Sequence, residues 1–450
     1  MECKPSSETP TPEEPTLFDL GPAQPPPPRP PLIKPKYGAR LRQANRSQIQ
    51  WGRIDLDAQI PEDHCARVIW AVIEQLDLSA LYAQIEARDE VAGAPAVDPK
   101  ILLALWVFAT SEGEGSAREI WRLVGLHAAY RWLCGGVKMG YHVLSDFRSQ
   151  QGEIVDELIT QVLAVLMKEE LVDLHRVAQD GTRVRASAGA ASFRREPTLQ
   201  TLIEEARAHL ETVTREAADP AITARRAAAR KRGAEQRLQR LEAALEQIPE
   251  VAETKKRNGA KNPPRASTTD PEARIMKRGD GGFRPAYNIQ FATTTDTARV
   301  IVGHHVSNRG SDMGESTPML DQIEHRTGVR PRAMLVDGGY AQHDAINQAT
   351  EKQVDLYAPV PKPRNDDTTD PHVARVGDSA AVAAWRERMG TDEAKTIYKE
   401  RAATAETVNA DGKQHRGLDS LSVRTLPKVA GSTALFVLTY NILRLITLRC

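Results

Sequence analysis

The sequence predicts a mixed α/β sheet with helices packed on it, preceded by an all-helical region and interrupted by a long helical hairpin. Three observations carry this prediction. Helical periodicity runs from about residue 54 to residue 171. Two leucine-rich stripes at helical spacing then follow each other across a break. Short β-rich segments flank this pair and alternate with helical segments towards the C-terminus, as in a sheet covered by helices.

The N-terminal tail, residues 1–45, is predicted to be disordered because it is rich in proline, with four consecutive prolines at 25–28. From Arg29 to Arg53 the chain carries seven basic residues and no acid. This basic stretch is either a solvated tail or an arm that contacts phosphates. The sequence leaves both interpretations open.

Residues 46–171 are predicted to form a helical domain. Asp98 and Pro99 form a typical helix start, with an Asp cap and a Pro in the first turn. The helix that follows is apolar on all sides over residues 101–109, so we expect it to be buried. Short helices are expected at 117–124, 127–133 and 143–150, with glycines between them. Such helices are compatible with a helix-turn-helix DNA reader and equally with a plain helical bundle.

Residues 198–247 are predicted to form two antiparallel helices, a coiled-coil hairpin that is broken at Asp219-Pro220. The first arm is rich in glutamate and the second in arginine. The charges pair across the arms, or the second arm contacts DNA. Residues 252–274 are expected to be a flexible basic linker.

The sheet is predicted from β-rich segments around this hairpin. A short strand at 175–180 ends in Asp180, and another at 333–337 ends in Asp337. Between them, the alternating pattern predicts two strands joined by a tight turn, at 286–293 and 298–305. The remaining elements are helices at 318–325, 341–351, 380–389 and 391–404 and a strand at 354–360.

Three acids stand out as candidate catalytic and metal-binding residues: Asp180, Asp337 and Glu406, the last on a helix. An open α/β sheet places its ligands at the carboxyl ends of its strands. Carboxylates that converge there need a compensating cation, and two Mg²⁺ (or Mn²⁺) ions about 4 Å apart would provide it. The alternative is that a strand-ending Asp before Gly is only a turn residue. Asp312 and Glu315 are further candidates to lie near the metal ions.

The order of the three acids resembles that in the DDE transposases of bacterial insertion sequences. The second acid lies in Asp-Gly-Gly-Tyr, and the third lies near the family signature Tyr, Arg, Glu, Lys, which reads here Tyr398, Arg401, Glu406 and Lys413. Four residues separate Arg401 from Glu406 where the usual form has three, so Glu400 is a competing acid. We assign the third position to Glu406.

Further motifs are similar to the eleven-eighty-two group of these transposases. They include Ser267 to Arg274 (STTDPEAR), the later segment GGFRPAYNIQ at 281–290, and two N-terminal segments, IPEDH at 60–64 and YHVLSDFR at 141–148. The resemblance runs from about Ile54 to Leu448. Because several motifs occur in the same order, together they are more specific than any one of them.

The resemblance implies an RNase H-like catalytic domain at 172–450, interrupted at 190–283 by an insertion made of the hairpin and the basic linker, and a DNA-binding role for 46–171. It implies a transposase that cleaves DNA and transfers strands with two metal ions. Tyr398 and Arg401 would hold the terminal nucleotides and Lys413 a nearby phosphate. The alternatives are an RNase H-like nuclease without joining activity, and a transposase-derived DNA-binding protein without catalysis.

Composition constrains partners and location only loosely. Sixty basic and sixty acidic side chains give a formal net charge of zero, which does not exclude DNA because a binding face needs only local positive charge. The apolar run at 434–442 is too short to span a bilayer, so we expect a packed C-terminal helix and no membrane. The resemblance implies double-stranded DNA as partner, a homodimer on DNA, and a cytoplasmic, nucleoid-associated location.

Overall fold

The computed structural model describes residues 55–85, 87, 95–217, 223–279, 281–361 and 370–450. The predicted proline-rich and basic tail and the predicted break at Asp219-Pro220 lie outside the described residues.

The described helices are α1 (Cys65–Glu74), α2 (Ser79–Ala83), α3 (Pro99–Ser111), α4 (Ala117–Leu126), α5 (Ala128–Cys134), α6 (Tyr141–Gln150), α7 (Gly152–Lys168), α8 (Glu196–Glu216), α9 (Ala224–Glu246), α10 (Ile248–Arg257), α11 (Ser316–Thr327), α12 (His343–Glu351), α13 (Ala380–Gly390), α14 (Asp392–Gln414) and α15 (Leu426–Arg449). The described strands are β1 (Arg176–Arg185), β2 (Phe193–Arg194), β3 (Ala266–Ser267), β4 (Arg274–Lys277), β5 (Phe283–Thr294), β6 (Ile301–Ser307), β7 (Ala333–Leu335) and β8 (Asp355–Tyr357).

The main sheet has β1 at its centre. Among the described strands its order is β4-β5-β1-β7-β8, and β6 pairs with β5 as well. β5 runs antiparallel to β1, whereas β7 and β8 run parallel to it and to each other. A strand pair followed by two parallel strands, with helices against the sheet, confirms the expected RNase H-like mixed sheet.

The first strand is longer than the sequence pattern predicted. We expected it to end at Asp180, but β1 continues to Arg185 because residues 177–185 all pair with β5. Its parallel pairing with β7 nevertheless stops at Ala178. Asp180 therefore lies just beyond the end of the parallel ladder and not at the end of the strand.

The inserted hairpin has a hydrophobic core of its own. Helices α8 and α9 pack against each other through apolar residues of both arms, among them Leu199, Ile203 and Leu241. Ion pairs join Arg207 to Glu242 and Arg230 to Glu216, so opposite charges do pair across the arms.

The prediction of a flexible linker at 252–274 is wrong. The chain continues as α10 up to Arg257, and β3 then pairs with β2. Val251 is buried and Arg274 donates to Gln247 and Glu250. These contacts tie the end of the insertion to the foot of the hairpin.

The C-terminal helix α15 joins the helical region to the sheet. It packs against α3, α6 and α7 on one side and β6 on the other. At the crossing with α7, a Cβ on Gly152 would come within 2.8 Å of the Cα of Gly431, so only glycine permits this approach. By length and composition α15 resembles a membrane span, but 72% of its apolar window is buried. The expected packed C-terminal helix is confirmed.

Candidate active site

Two of the predicted acids meet because of the parallel register between β1 and β7. Ala178 pairs with Leu335, so Asp180 and Asp337 each lie two residues further along neighbouring chain segments. Successive strand side chains alternate between faces, so a shift of two residues keeps both acids on one face of the sheet. The sequence prediction that these strand segments bring two carboxylates together therefore has a simple geometric basis.

Arg401 of α14 lies between the two carboxylates. Its Nη2 donates to Oδ1 of Asp180 at 3.0 Å and lies 4.0 Å from Oδ2 of Asp337. The side chains of Arg401 and Asp180 are 16% and 21% exposed, and that of Asp337 is 42% exposed. One guanidinium thus compensates two acids in a partly dry cleft between the sheet and α14.

Asp337 also makes a turn contact of its own. Its Oδ1 accepts a hydrogen bond from the backbone N–H of Gly339 at 2.7 Å, which is the local turn chemistry expected of Asp before Gly. Its Oδ2 remains on the side of Arg401. The turn interpretation and the charged-site interpretation of Asp337 are therefore compatible.

The environment of Asp180 makes its ionised form less favourable than it is in water. Burial raises the pKa of its carboxyl, the Arg401 charge opposes this rise, and the neighbouring Asp337 and Asp312 add to it. A carboxylate whose desolvation outweighs its ion pair is a feature of functional sites. The ionised carboxylate of Asp180 therefore lowers the free energy of unfolding.

Asn409 is a second partner of Asp180, and the sequence analysis missed it. Its Nδ2 donates to Oδ2 of Asp180 at 2.9 Å. Its carbonyl atom Oδ1 is buried and has no hydrogen-bond partner among the described residues. Asn409 lies eight residues after Arg401 on α14, on the same side of the helix, and this spacing is the signal that could have found it.

A buried polar network supports β1 from its other face. Oδ1 of Asp312 accepts from the side-chain amides of Asn288 and Gln290, both at 2.7 Å, and Oδ2 accepts from Arg183 at 2.9 Å. A Cβ on Gly181 would come within 2.4 Å of Oδ1 of Asp312. Asp312 is thus a structural acid beneath the strand, which explains why glycine follows Asp180.

Tyr340 and Glu315 complete this network. The Tyr340 hydroxyl donates to Oε1 of Gln290, and Gln179 donates to the same oxygen and to the backbone carbonyl of Glu315. The carboxylate of Glu315 lies 2.8 Å from Nδ1 of His305. The final tyrosine of the Asp-Gly-Gly-Tyr motif therefore anchors the turn that carries Asp337.

Glu406 does not join the acid pair in this structure. It is exposed on α14. Within the described residues, no group of three or more His, Cys, Asp or Glu side chains is close enough to hold a metal ion. The competing acid, Glu400, pairs with Arg176 at 3.2 Å. The assignment of Glu406 to the site stays a prediction.

Tyr398 and Lys413, the other signature residues, lie on α14 near Arg401 and Asn409. Burial raises the pKa of the Tyr398 hydroxyl, and the charge of Arg401 opposes this. Burial and the neighbouring Arg278 lower the pKa of the Lys413 ammonium. Both side chains are only partly exposed, and their role in DNA binding stays a prediction.

The motif at 267–274 has a structural role at the start of α15. Oδ1 of Asp270 accepts from the backbone N–H of Thr425 at 3.2 Å, and Oε2 of Glu272 accepts from that of Leu426 at 2.6 Å. These N–H groups open a helix and lack intrahelical partners. The motif therefore fixes the helix that links sheet and helical region.

The donor set fits a hard divalent cation. Two carboxylates flank one guanidinium. The side chain of Asn409 contacts Asp180, and its carbonyl oxygen is buried with no hydrogen-bond partner among the described residues. Mg²⁺ and Mn²⁺ prefer such oxygen donors, whereas zinc prefers nitrogen and sulfur.

Two family models match the chain. Residues 54–150 match a transposase domain (DUF772), and residues 254–442 match the transposase DDE domain. The first covers the helical region through α6, and the second runs from within α10 into α15, so it contains Asp337, Arg401, Glu406 and Asn409. No significant match was found among curated proteins or among solved structures.

Proposed function

Since the chain belongs to the DDE transposases of insertion sequences, enzymes that act on DNA, we propose that it cleaves the ends of its element and joins them to target DNA by metal-dependent phosphoryl transfer at Asp180 and Asp337. The observation that carries this proposal is the acid pair at the end of the parallel ladder, with a single arginine between its members.

Divalent metal ions are generally used by this family, and we propose that Asp180, Asp337 and Glu406 hold two of them. Bound there, the ions supply Lewis acidity at the attacking and leaving oxygens of a phosphodiester. Asp180 and Asp337 are already adjacent. Glu406 would join them by reorientation of its exposed side chain. The first displacement uses water and the second uses the freed 3′-hydroxyl, so the same carboxylates serve both.

The DNA end would lie along α14. Arg401 and Lys413 carry positive charge on the helix that faces β1, and Tyr398 adds an aromatic ring one turn before Arg401. Cationic side chains position DNA through its phosphates. We propose that Tyr398 and Arg401 hold the terminal nucleotides and that Lys413 holds a nearby phosphate.

The other parts of the chain would serve recognition and pairing. We assign the reading of the terminal repeats to the helical region, which matches a transposase domain of its own. Two ends must be brought together, so a homodimer on double-stranded DNA is the expected assembly, in the cytoplasm.

The test uses linear DNA carrying both ends of the insertion sequence that encodes the chain, a supercoiled target plasmid, and Mg²⁺ or Mn²⁺. We expect end cleavage followed by covalent insertion into the target. Asp180→Asn and Asp337→Asn should abolish both products while leaving melting curves cooperative. Cleavage without insertion would instead identify a nuclease. DNA binding without cleavage under any divalent ion would identify a DNA-binding protein without catalysis.

A further inference from the structure

The Asp180 carboxylate is held at both of its oxygens. Arg401 donates to Oδ1 at 3.0 Å, and the Asn409 amide donates to Oδ2 at 2.9 Å. Both donors come from α14, and the buried residues Ala405 and Val408 between them seat this helix against the core. The orientation of the carboxylate is therefore set by one helix through two contacts.

The two contacts differ in what a cation would do to them. Arg401 is charged and is shared with Asp337, so a metal ion at the acid pair would repel it. The Asn409 amide is neutral and binds the other oxygen of Asp180, so it can stay. If Arg401 withdraws, Asn409 is the contact that keeps the carboxylate from rotating.

The carbonyl oxygen of Asn409 provides a second argument, because its missing partner indicates that a ligand binds beside it. Its Oδ1 is buried without a hydrogen-bond partner among the described residues. A buried acceptor left unpaired destabilises the folded state, and functional sites are where such a cost is tolerated. A water molecule bound to a metal ion at Asp180 would supply the missing donor.

We propose that Asn409 is a positioning residue for metal binding at Asp180. Its amide nitrogen fixes Oδ2, which leaves Oδ1 for the ion, and its carbonyl oxygen accepts a hydrogen bond from water on that ion. This inference rests on the proposed function. Partners that orient metal-binding carboxylates change metal affinity about 10- to 100-fold when removed.

The experiment measures Mn²⁺ binding to the full-length, DNA-free protein from the paramagnetic resonance signal of free Mn²⁺. Asn409→Leu keeps the size of the side chain and removes both polar atoms, and Asn409→Ser is too short to reach Asp180. We expect the dissociation constant for Mn²⁺ to rise about tenfold in each. The Mn²⁺ concentration for half-maximal end cleavage should rise in parallel, whereas DNA-end affinity measured without divalent ions should change less than twofold.

Thr407→Val is the matched control, because Thr407 is exposed on the same helix and its hydroxyl donates to the backbone carbonyl of Ala403, its one hydrogen-bond partner among the described residues. It should bind Mn²⁺ like the wild type. Wild-type Mn²⁺ affinity in either folded Asn409 variant would overturn the role of Asn409 while leaving the proposed function intact. A wild-type protein that neither binds Mn²⁺ nor cleaves DNA ends would overturn both.

Discussion

Arg401 donates a hydrogen bond to Asp180 across 3.0 Å, and the same guanidinium nitrogen lies 4.0 Å from Asp337. The residue that the family resemblance assigns to DNA thus stands where two acids need a cation. In this structure the arginine compensates the acid pair. We therefore predict that a metal ion bound at the proposed site competes with Arg401 for these carboxylates, and that this competition links metal binding to DNA binding.

Replacing Arg401 by Met should strengthen Mn²⁺ binding to the DNA-free protein on the order of tenfold, because it removes a positive charge from the position next to the ion. In the wild type, a DNA end should strengthen Mn²⁺ binding by drawing Arg401 to a phosphate. By reciprocity, Mn²⁺ should strengthen end binding by the same factor. The measurement is Mn²⁺ titration with and without an end duplex.

Arg176→Met is the control for this prediction, since Arg176 pairs with Glu400 of the same helix. The Arg176→Met protein should bind Mn²⁺ with the affinity of the wild type. Unchanged or weaker Mn²⁺ binding by the Arg401→Met protein would show that the arginine is not a competitor of the metal ion.

Asp180→Asn should make the metal-free protein more stable at neutral pH. Burial raises the pKa of Asp180 above its ordinary value of 3.8, so the ionised carboxylate lowers the free energy of unfolding at any pH above its folded pKa. The gain in Asp180→Asn should shrink as pH falls through that folded pKa and vanish below about 3.8. Thermal melts between pH 3 and 8 measure it.

Asp392→Asn provides the contrast, because the exposed Asp392 has its pKa lowered by a hydrogen bond from Lys395. There the substitution should not stabilise the protein. A neutral-pH melting temperature for Asp180→Asn equal to or below that of the wild type would contradict a desolvated carboxylate.

Glu406→Gln should abolish end cleavage, a loss of about a thousandfold or more if the residue holds a catalytic metal ion. Glu400→Gln should keep cleavage within about tenfold, because Glu400 is engaged with Arg176 and an exposed or partly exposed pair contributes about 0–1 kcal/mol. Single-turnover cleavage of an end duplex distinguishes the two acids. If Glu400→Gln lost cleavage and Glu406→Gln retained it, the third catalytic acid would be Glu400.

Gly181→Ala should destabilise the protein by about 1–3 kcal/mol through overpacking and reduce cleavage by displacing β1. The added Cβ would lie 2.3 Å from Nε2 of Gln290 and 2.4 Å from Oδ1 of Asp312. Gly189→Ala is the matched control, since no described residue other than its two chain neighbours lies within 4 Å of its Cβ position. Equal urea midpoints for the two variants would argue against a tightly packed network beneath the site.

Apolar periodicity predicted helices well where the pattern extended over many residues. The hairpin arms, the buried helix α3 and the C-terminal helix all follow from the spacing of their apolar residues, which are buried in the structure. The acids Asp180 and Asp337 could be singled out from the sequence because each follows a short apolar segment. Their shared face then follows from parallel pairing of those strands.

Contacts between distant segments could not be predicted in this way. In the sequence, Gly181 suggested that the strand ends at Asp180. Strand β1 continues beyond Asp180 because its whole second half pairs with β5. Asn288 and Gln290 are fully buried although they are polar, and Asp312, from a loop, accepts a hydrogen bond from the side-chain amide nitrogen of each. Asn409 carries no motif, and only the docking of α14 on β1 brings it to Asp180.

The most direct test of the metal site is to map where Fe²⁺, substituted for Mg²⁺, cuts the polypeptide in the presence of ascorbate and peroxide, which generate short-lived radicals at the bound ion. The account predicts cuts beside Asp180, beside Asp337 and in α14 near Glu406, suppressed by excess Mg²⁺ and absent in Asp180→Asn. Cuts confined to other segments, or the same cuts in Asp180→Asn, would contradict a metal site at the acid pair.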